Sequence, residues 1–146
     1  MSLPELDALR EAGILAPLDV HFAHTMARLG ADPRPAVLLA AALASRAVQH
    51  GHVCLDLARW AGQPVGGADG LPLAGADGRP RDDLAWPALG EWRAALADSP
   101  LVGDGDAATP LVLDGADRLY LRRYWQHEAV LAARLRARAA EVAGAA

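Results

Sequence analysis

The segment ALASRAVQHGHVCLDLARWAG, residues 42 to 62, contains the change of pattern that decides the fold of this chain. Its alanine-rich first part favours helix, because alanine has the highest intrinsic helix propensity. Gly51 fits the left-handed position that commonly follows a helix, with His50 at the helix end. The next residues predict a brief extended piece and then a helix from about Asp56 to Trp60. We therefore expect helices to dominate, interrupted here by one short extended segment.

Helical periodicity continues on both sides of this segment. Apolar residues recur at intervals of three and four, and glycine or proline closes each pattern. The expected helices are one ending near Gly13, one from Pro17 to about Leu29, one from Pro33 to about Gln49, the 56–60 helix, one between Pro87 and Ser99, and one starting at about Arg122. The Pro33–Gln49 helix should be the most buried, because its central part is apolar on all sides.

A second signal indicates a β-hairpin near the C-terminus. Asp114-Gly115-Ala116-Asp117 supplies turn residues, and leucines alternate in both flanking arms at 111, 113, 119 and 121. An Asp-Gly turn between alternating apolar residues is a strong short-range hairpin signal. The predicted fold class is therefore mainly α, a bundle of about six helices with a small antiparallel β-hairpin near the C-terminus.

Residues 1–146 fit one domain with a single core. Residues 62–83, GQPVGGADGLPLAGADGRPRDD, are rich in Gly, Pro and Asp and show no period that would support a core. We interpret them as a flexible surface loop. Among the four tryptophans, Trp92 has core periodicity, whereas Trp86 lies beside this loop and before a proline. We therefore expect Trp92 to be buried and Trp86 to be exposed.

The charge is unevenly distributed along the chain. All 14 basic residues are arginine and the net charge is −4, yet residues 118–146 carry an excess of positive charge. Any face that binds anions should therefore lie near the C-terminal helix. The single Cys54 forbids an intrachain disulfide, and no signal-peptide pattern opens the chain, so we expect a cytoplasmic location. No apolar run is long enough to span a bilayer.

Metal and catalytic sites find little support in the residues. His50, His52 and Cys54 alternate and could share one face as zinc ligands, but a structural zinc site usually needs four protein ligands. We favour a helix-capping histidine and a small buried thiol. GDGD at 103–106 and the two GADG strings resemble parts of calcium loops, although turn chemistry explains them better. We expect no metal, no cofactor and no catalytic residues in this chain.

A second decisive passage, LYLRRYWQHE at residues 119–128, combines basic and aromatic residues. Arg118, Arg122 and Arg123 lie among tyrosines and a tryptophan, a composition used both for stacking on single-stranded nucleic acid and at protein interfaces. Tyr124 or Trp125 could instead fill the core beside the hairpin. Arg118, Arg122, Arg123 and Trp86 are the candidate interface residues, and we favour a protein partner over direct DNA contact.

The GHVCLDL segment and the downstream YLRRYW segment together resemble the N-terminal domain of RecD, the alpha subunit of exodeoxyribonuclease V. The resemblance spans most of the chain. Helicase motifs of that family, including the G-x-x-x-x-G-K-[ST] phosphate loop, do not occur in these residues. The sequence contains no lysine, so a Walker-type ATP site cannot be built from it.

This resemblance implies a non-catalytic assembly domain of an ATP-dependent DNA helicase and exonuclease that processes double-strand breaks. It implies docking onto a RecC-type gamma subunit, with a RecB-type beta subunit in the same complex and DNA bound by the assembly. ATP and Mg²⁺ would bind to motor domains that are absent from these residues. The alternative is a small stand-alone DNA-binding module that uses the hairpin and the arginine-rich C-terminal helix.

Overall fold

The computed structural model describes residues 3–66, 71–75, 77–105 and 108–144, without the side chains of 125 and 127–129. Within those ranges the helices are α1 (Leu6–Glu11), α2 (Pro17–Gly30), α3 (Pro35–Gln49), α4 (Leu57–Trp60), α5 (Leu89–Ala97) and α6 (Arg122–Gly144). The strands are β1 (Leu55–Asp56), β2 (Leu73–Ala74), β3 (Pro80–Arg81), β4 (Val102–Gly103), β5 (Leu111–Leu113) and β6 (Arg118–Leu121). The predicted class, mainly α with a small β-hairpin, is confirmed.

Helix α3 is the centre of the core. It packs against α1, α2, α5 and the strands β1 and β6, and its side chains from Leu39 to Ser45 are all buried. The many alanines of α3 let neighbouring helices approach closely, while Val37, Leu39 and Leu43 supply the buried volume. Trp92 of α5 has no exposed surface, which confirms its predicted place in the core.

The hairpin predicted at the C-terminal end forms part of a larger sheet. Strands β5 and β6 pair antiparallel, and the Asp114 N–H donates to the carbonyl of Arg118 at 3.0 Å to close the turn. The four-stranded order is β1-β6-β5-β4, with β1 antiparallel to β6 and β4 parallel to β5. The short extended piece expected after Gly51 is β1, which begins at Leu55 rather than at His52.

Helix α3 begins at Pro35 and not at Pro33, because Pro35 disfavours helical backbone at Arg34, which is extended and forms the N-cap. Asp32 makes a different interaction. The Asp32 carboxylate accepts hydrogen bonds from the Arg34 side chain at 2.8 and 2.9 Å, and it is buried. A second buried carboxylate, Asp19 of α2, accepts hydrogen bonds from the Ala16 N–H, the Ser45 hydroxyl and the Gln49 amide. These partners satisfy the carboxylate and tie α2 to α3.

Most described residues of 62–83 lie at the surface, as expected, but the segment is not wholly outside the core. Val65 and Leu73 are buried, and the Val65 N–H donates to the carbonyl of Leu84 at 3.1 Å. Strands β2 and β3 form a small antiparallel ladder within the segment. Val65 and Leu73 therefore anchor the segment, although their spacing fits neither a helix nor a long strand. The first GADG string, residues 67–70, lies outside the described residues.

Helix α6 begins at Arg122 as predicted, but the leucines of its predicted apolar repeat are largely exposed. Its first turns contact β5 and β6, whereas Leu131 and Leu135 are 52% and 60% exposed. Tyr124 is half-buried, and the Trp125 side chain, the other candidate core residue, lies outside the described set. Among the described residues, no helix is both long and apolar enough to cross a membrane.

Candidate docking surface

An open cleft of about 560 Å³ lies where residues 42–62 meet Arg118, the first residue of β6. Its walls come from the end of α3, the residues that lead into β1, and α4. We call it the arginine cleft and define it by Arg46, His52, Asp56, Arg59, Trp60 and Arg118. The cleft therefore combines three guanidinium groups with an indole ring and one carboxylate.

Arg46 projects from α3 into the cleft and is held on two sides. Its Nε donates a hydrogen bond to the carbonyl of Ile14 at 3.0 Å, and its guanidinium carbon lies 5.3 Å from the centroid of the Trp60 ring. A guanidinium within about 6 Å of an indole face is attracted by the ring quadrupole. Arg46 is therefore a positive charge with a fixed position rather than a freely moving surface group.

Helix α4 presents Arg59 and Trp60 because two interactions fix its start. The Asp56 side chain accepts from the Ala58 N–H at 3.2 Å and caps the helix. The Leu57 N–H donates to the carbonyl of Asp117 at 3.1 Å, which attaches the helix to the β5–β6 turn. Leu57 itself is fully buried, so the single turn of α4 is anchored while Arg59 faces solvent.

Arg118 lines the cleft from β6, beside Cys54 and Tyr120. Burial raises the pKa of the Cys54 thiol and of the Tyr120 hydroxyl, and the neighbouring Arg118 guanidinium partly offsets both shifts. Both groups are therefore protonated near neutral pH. Among the described residues, no group of three or more His, Cys, Asp or Glu side chains is placed to hold a metal ion.

The structure separates the predicted interface arginines into two places. Arg118 lies in the arginine cleft, whereas Arg122 and Arg123 open α6 at the far end of β6, about 13 Å away at the usual rise per strand residue. The Arg122 N–H donates to the carbonyl of Pro110 at 2.9 Å. The exposed Arg123 guanidinium lies 4.9 Å from the ring centroid of Tyr124. Arg123 is thus brought together with Tyr124, and neither Arg122 nor Arg123 lines the cleft with Arg118.

Trp86 is buried, and the prediction that it is exposed was wrong. Only 4% of its surface is accessible, and its ring meets that of Trp60 edge-on with 5.2 Å between centroids. The Trp86 N–H donates to the carbonyl of Gln63 at 3.0 Å, because residues 63–65 pair with residues 84–86. Trp86 therefore supports Trp60 from behind the cleft and presents almost no surface to a partner.

Sequence reasoning did not identify Arg46, Arg59 or Trp60 as site residues. One signal was available, since Arg46 is the single charged residue between Pro35 and Gln49. An arginine in an otherwise uncharged, buried helix must leave the core at that position. The adjacent Arg59 and Trp60 gave no comparable signal, because a four-residue helix has too few positions to show a period.

Comparison with known proteins agrees with the resemblance seen in the two motifs. The family model for "RecBCD enzyme subunit RecD, N-terminal domain" matches residues 11–120. The chain is 41% identical over 117 residues to the RecBCD enzyme subunit RecD of Mycolicibacterium smegmatis, covering 80% of this chain and 18% of that protein.

The RecBCD enzyme subunit RecD of Mycobacterium tuberculosis is 38% identical over 125 residues, covering 83% of this chain and 18% of that protein. The chain thus spans about a fifth of the length of these curated relatives. The matched residues 11–120 include all of the arginine cleft and the β5–β6 hairpin. The chain belongs to the family of RecD N-terminal domains.

Proposed function

We propose that this chain is a non-catalytic assembly domain that docks a RecD subunit onto a RecC-type gamma subunit. The complex, which would also contain a RecB-type beta subunit, would be an ATP-dependent DNA helicase and exonuclease acting in double-strand-break repair and recombination. The match to the RecD N-terminal domain over residues 11–120 carries this proposal. ATP and Mg²⁺ would bind to parts of the longer relatives that this chain does not span.

The geometry supports a docking role over a catalytic one. The arginine cleft exposes arginine and tryptophan, two of the residue types that most often contribute the binding energy of protein interfaces. Its arginines are carried by α3, α4 and β6, elements that are anchored in the core. Rigid anchors lose little conformational entropy on association. The cleft is therefore suited to holding a partner surface in one orientation.

Co-expression with the RecC-type subunit from the same genome tests the proposal. We expect the two chains to co-elute in size-exclusion chromatography at moderate salt. The complex should also withstand dilution at the concentrations used for purification. Elution of two folded proteins at their separate positions would contradict docking by this domain.

DNA binding by the hairpin and α6 is the second candidate, and the exposed arginines of α6 favour it. Arg134, Arg136 and Arg138 all face solvent, and no described carboxylate pairs with any of them. If α6 binds DNA phosphates, affinity should fall as salt rises. A plot of the logarithm of the association constant against the logarithm of the salt concentration should have a slope of about −0.9 for each phosphate contact on duplex DNA.

The matched variants for this second candidate are Arg122→Ala with Arg123→Ala, and Arg79→Ala as the control. The Arg122 backbone bond to Pro110 does not need the side chain, but the half-buried side chain also donates to the Thr109 carbonyl at 3.5 Å, so thermal unfolding of the double variant must accompany the binding measurement. The double variant should weaken DNA binding and reduce the salt slope by about 2. The Arg79 variant should alter neither quantity. An unchanged slope in the double variant would exclude these two arginines as phosphate contacts.

A further inference from the structure

The arginines of this domain fall into two groups that differ in their partners. Arg34, Arg81 and Arg93 each pair with a carboxylate, with N–O distances of 2.8, 2.8 and 2.5 Å. Arg10 makes a longer pair of 3.8 Å with Asp7. Carboxylates outnumber arginines in the sequence, 18 to 14, so the domain has enough acidic groups to pair every arginine.

The three arginines of the cleft belong to the second, larger group, which makes no ion pair with a described carboxylate. Among the described residues, no carboxylate lies within ion-pair distance of Arg46, Arg59 or Arg118. Two acidic groups lie near these arginines, and both accept hydrogen bonds from backbone amides. Asp56 accepts from the Ala58 N–H, and Asp114 accepts from the N–H groups of Ala116 and Arg118, both at 2.9 Å. The cleft therefore holds three guanidinium groups without a direct ion pair to a described residue, although Asp56 lines the same cleft and Asp114 attracts Arg118 at longer range.

The cleft also offers apolar surface beside these charges. Val53 is 43% exposed at its edge, and the half-buried Trp60 ring forms part of its wall. The side chains of Leu43, Ala47 and Leu55 complete the apolar lining. A free inorganic anion would leave this surface in water, whereas a peptide segment would cover it. The lining therefore matches a ligand that carries carboxylates and apolar side chains together.

We propose that the arginine cleft binds an acidic, amphipathic segment of the protein partner. Aspartate or glutamate side chains of the segment would pair with Arg59 and Arg118, while an apolar side chain would pack against Trp60 and Val53. The identity of that partner as the RecC-type subunit rests on the function proposed above. Arg46, fixed between Trp60 and the Ile14 carbonyl, supplies a positive charge that needs no reorganisation on binding.

A nucleic acid is a poorer match for the same cleft. Duplex DNA carries one charge per about 1.7 Å of axis, so phosphate tracking requires a row of cations along the backbone path. The arginine cleft instead groups three cations around an apolar wall. The row of exposed arginines in this domain lies on α6, at the other end of β6 from the cleft.

Charge reversal provides the first test. Arg59→Glu combined with Arg118→Glu should weaken binding to the RecC-type subunit by about tenfold or more, because the variant repels the acidic segment. Arg28→Glu combined with Arg79→Glu is the matched control. It changes the net charge by the same amount at exposed positions outside the cleft, and it should leave binding within about twofold of wild type.

Thermal unfolding of each variant separates binding from folding. If the double variant is destabilised, Arg59→Glu alone is decisive, because Arg59 faces solvent and makes no ion pair with a described residue. Tight wild-type binding that survives both cleft variants would overturn the cleft proposal and leave the docking function intact. Failure of the wild-type domain to bind at all would instead count against the docking function.

A second test does not require the RecC-type subunit. The amide and indole resonances of the isotopically labelled domain would be followed while a model peptide that alternates glutamate with leucine is added. We expect shifts at the Trp60 indole N–H and at residues 52–59, with the control variant behaving as wild type. Single-stranded DNA is the comparison ligand. The proposal would be overturned if these resonances shifted with DNA but not with the peptide. It would also be overturned if they shifted with neither ligand.

Discussion

The Trp92 indole N–H donates a hydrogen bond of 2.8 Å to the carbonyl of Ala36, joining α5 to the first turn of α3. The first carbonyls of a helix normally accept from the amides of the next turn, so this bond adds a partner from outside the helix. Trp92 is fully buried as well. The residue thus contributes both apolar volume and a directed contact.

Truncation of this side chain should be severe. Trp92→Ala removes a fully buried indole, and we expect a loss of about 3 to 5 kcal/mol in the free energy of unfolding. Trp92→Phe retains most of the apolar volume but loses the bond to Ala36, so its cost should be smaller. Chemical denaturation of both variants measures the difference. Equal losses would show that the hydrogen bond and not the volume dominates.

Gly30 and Gly90 should respond oppositely to replacement by alanine. A Cβ at Gly30 would lie 2.5 Å from Cγ of the buried Leu101, so Gly30→Ala should cost about 1 to 3 kcal/mol. A Cβ at Gly90 in α5 would meet nothing within 4 Å. Gly90→Ala should therefore stabilise the helix by about 0.5 to 1 kcal/mol. Thermal unfolding of the pair checks the two signs.

Leu73 should matter to stability although it lies in a segment rich in Gly, Pro and Asp. It is 5% exposed, whereas its neighbour Leu71 is 63% exposed. We expect Leu73→Ala to cost about 2 to 5 kcal/mol and Leu71→Ala to stay within about 0.5 kcal/mol of wild type. Deletion of residues 66–80 should destabilise the domain, because it removes Leu73. A flexible loop outside the core would tolerate the same deletion. Equal behaviour of the two leucine variants would contradict this anchoring.

Asp32 should make the domain sensitive to acid. Hydrogen bonds from the Arg34 side chain hold the pKa of Asp32 well below its ordinary value of 3.8. The stabilisation is fully present above that ordinary value and is lost as the pH falls toward the lower pKa of the folded state. Unfolding free energies measured from neutral pH downward should fall more steeply for wild type than for Asp32→Asn. Parallel curves would show that Asp32 does not contribute.

Local patterns were sufficient to predict the helices and the hairpin. The 3.6-residue period and the terminating prolines and glycines locate α2, α3 and α5 to within a few residues. The left-handed backbone of Gly51, with φ of 86°, agrees with its predicted place after α3. The Asp-Gly turn likewise identified β5 and β6. Each of these features depends on residues that are neighbours in the sequence.

Features that depend on distant contacts could not be predicted in this way. Trp86 is buried because residues 63–65 pair with residues 84–86, about twenty positions later, and no local pattern reveals that pairing. The arginine cleft requires Arg46, Arg59 and Arg118 from three separate elements. Arg118 carried a local signal through the aromatic residues around it, and Arg46 carried one as the single charged residue of α3, but neither signal revealed that the two residues meet. The predicted roles of Arg122 and Arg123 at an interface remain predictions.

The antiparallel pairing of β1 with β6 also constrains how the domain is made on the ribosome. Leu55 pairs with Leu119, which is synthesised roughly 60 residues later, or roughly 3 to 12 s later at bacterial elongation rates. During that interval the nascent chain holds α1 to α3 without β6, which packs against α3 in the folded domain. Chaperones that bind exposed apolar segments would therefore have their best opportunity before residue 119 emerges. Slowly translated codons after residue 55 should prolong this interval.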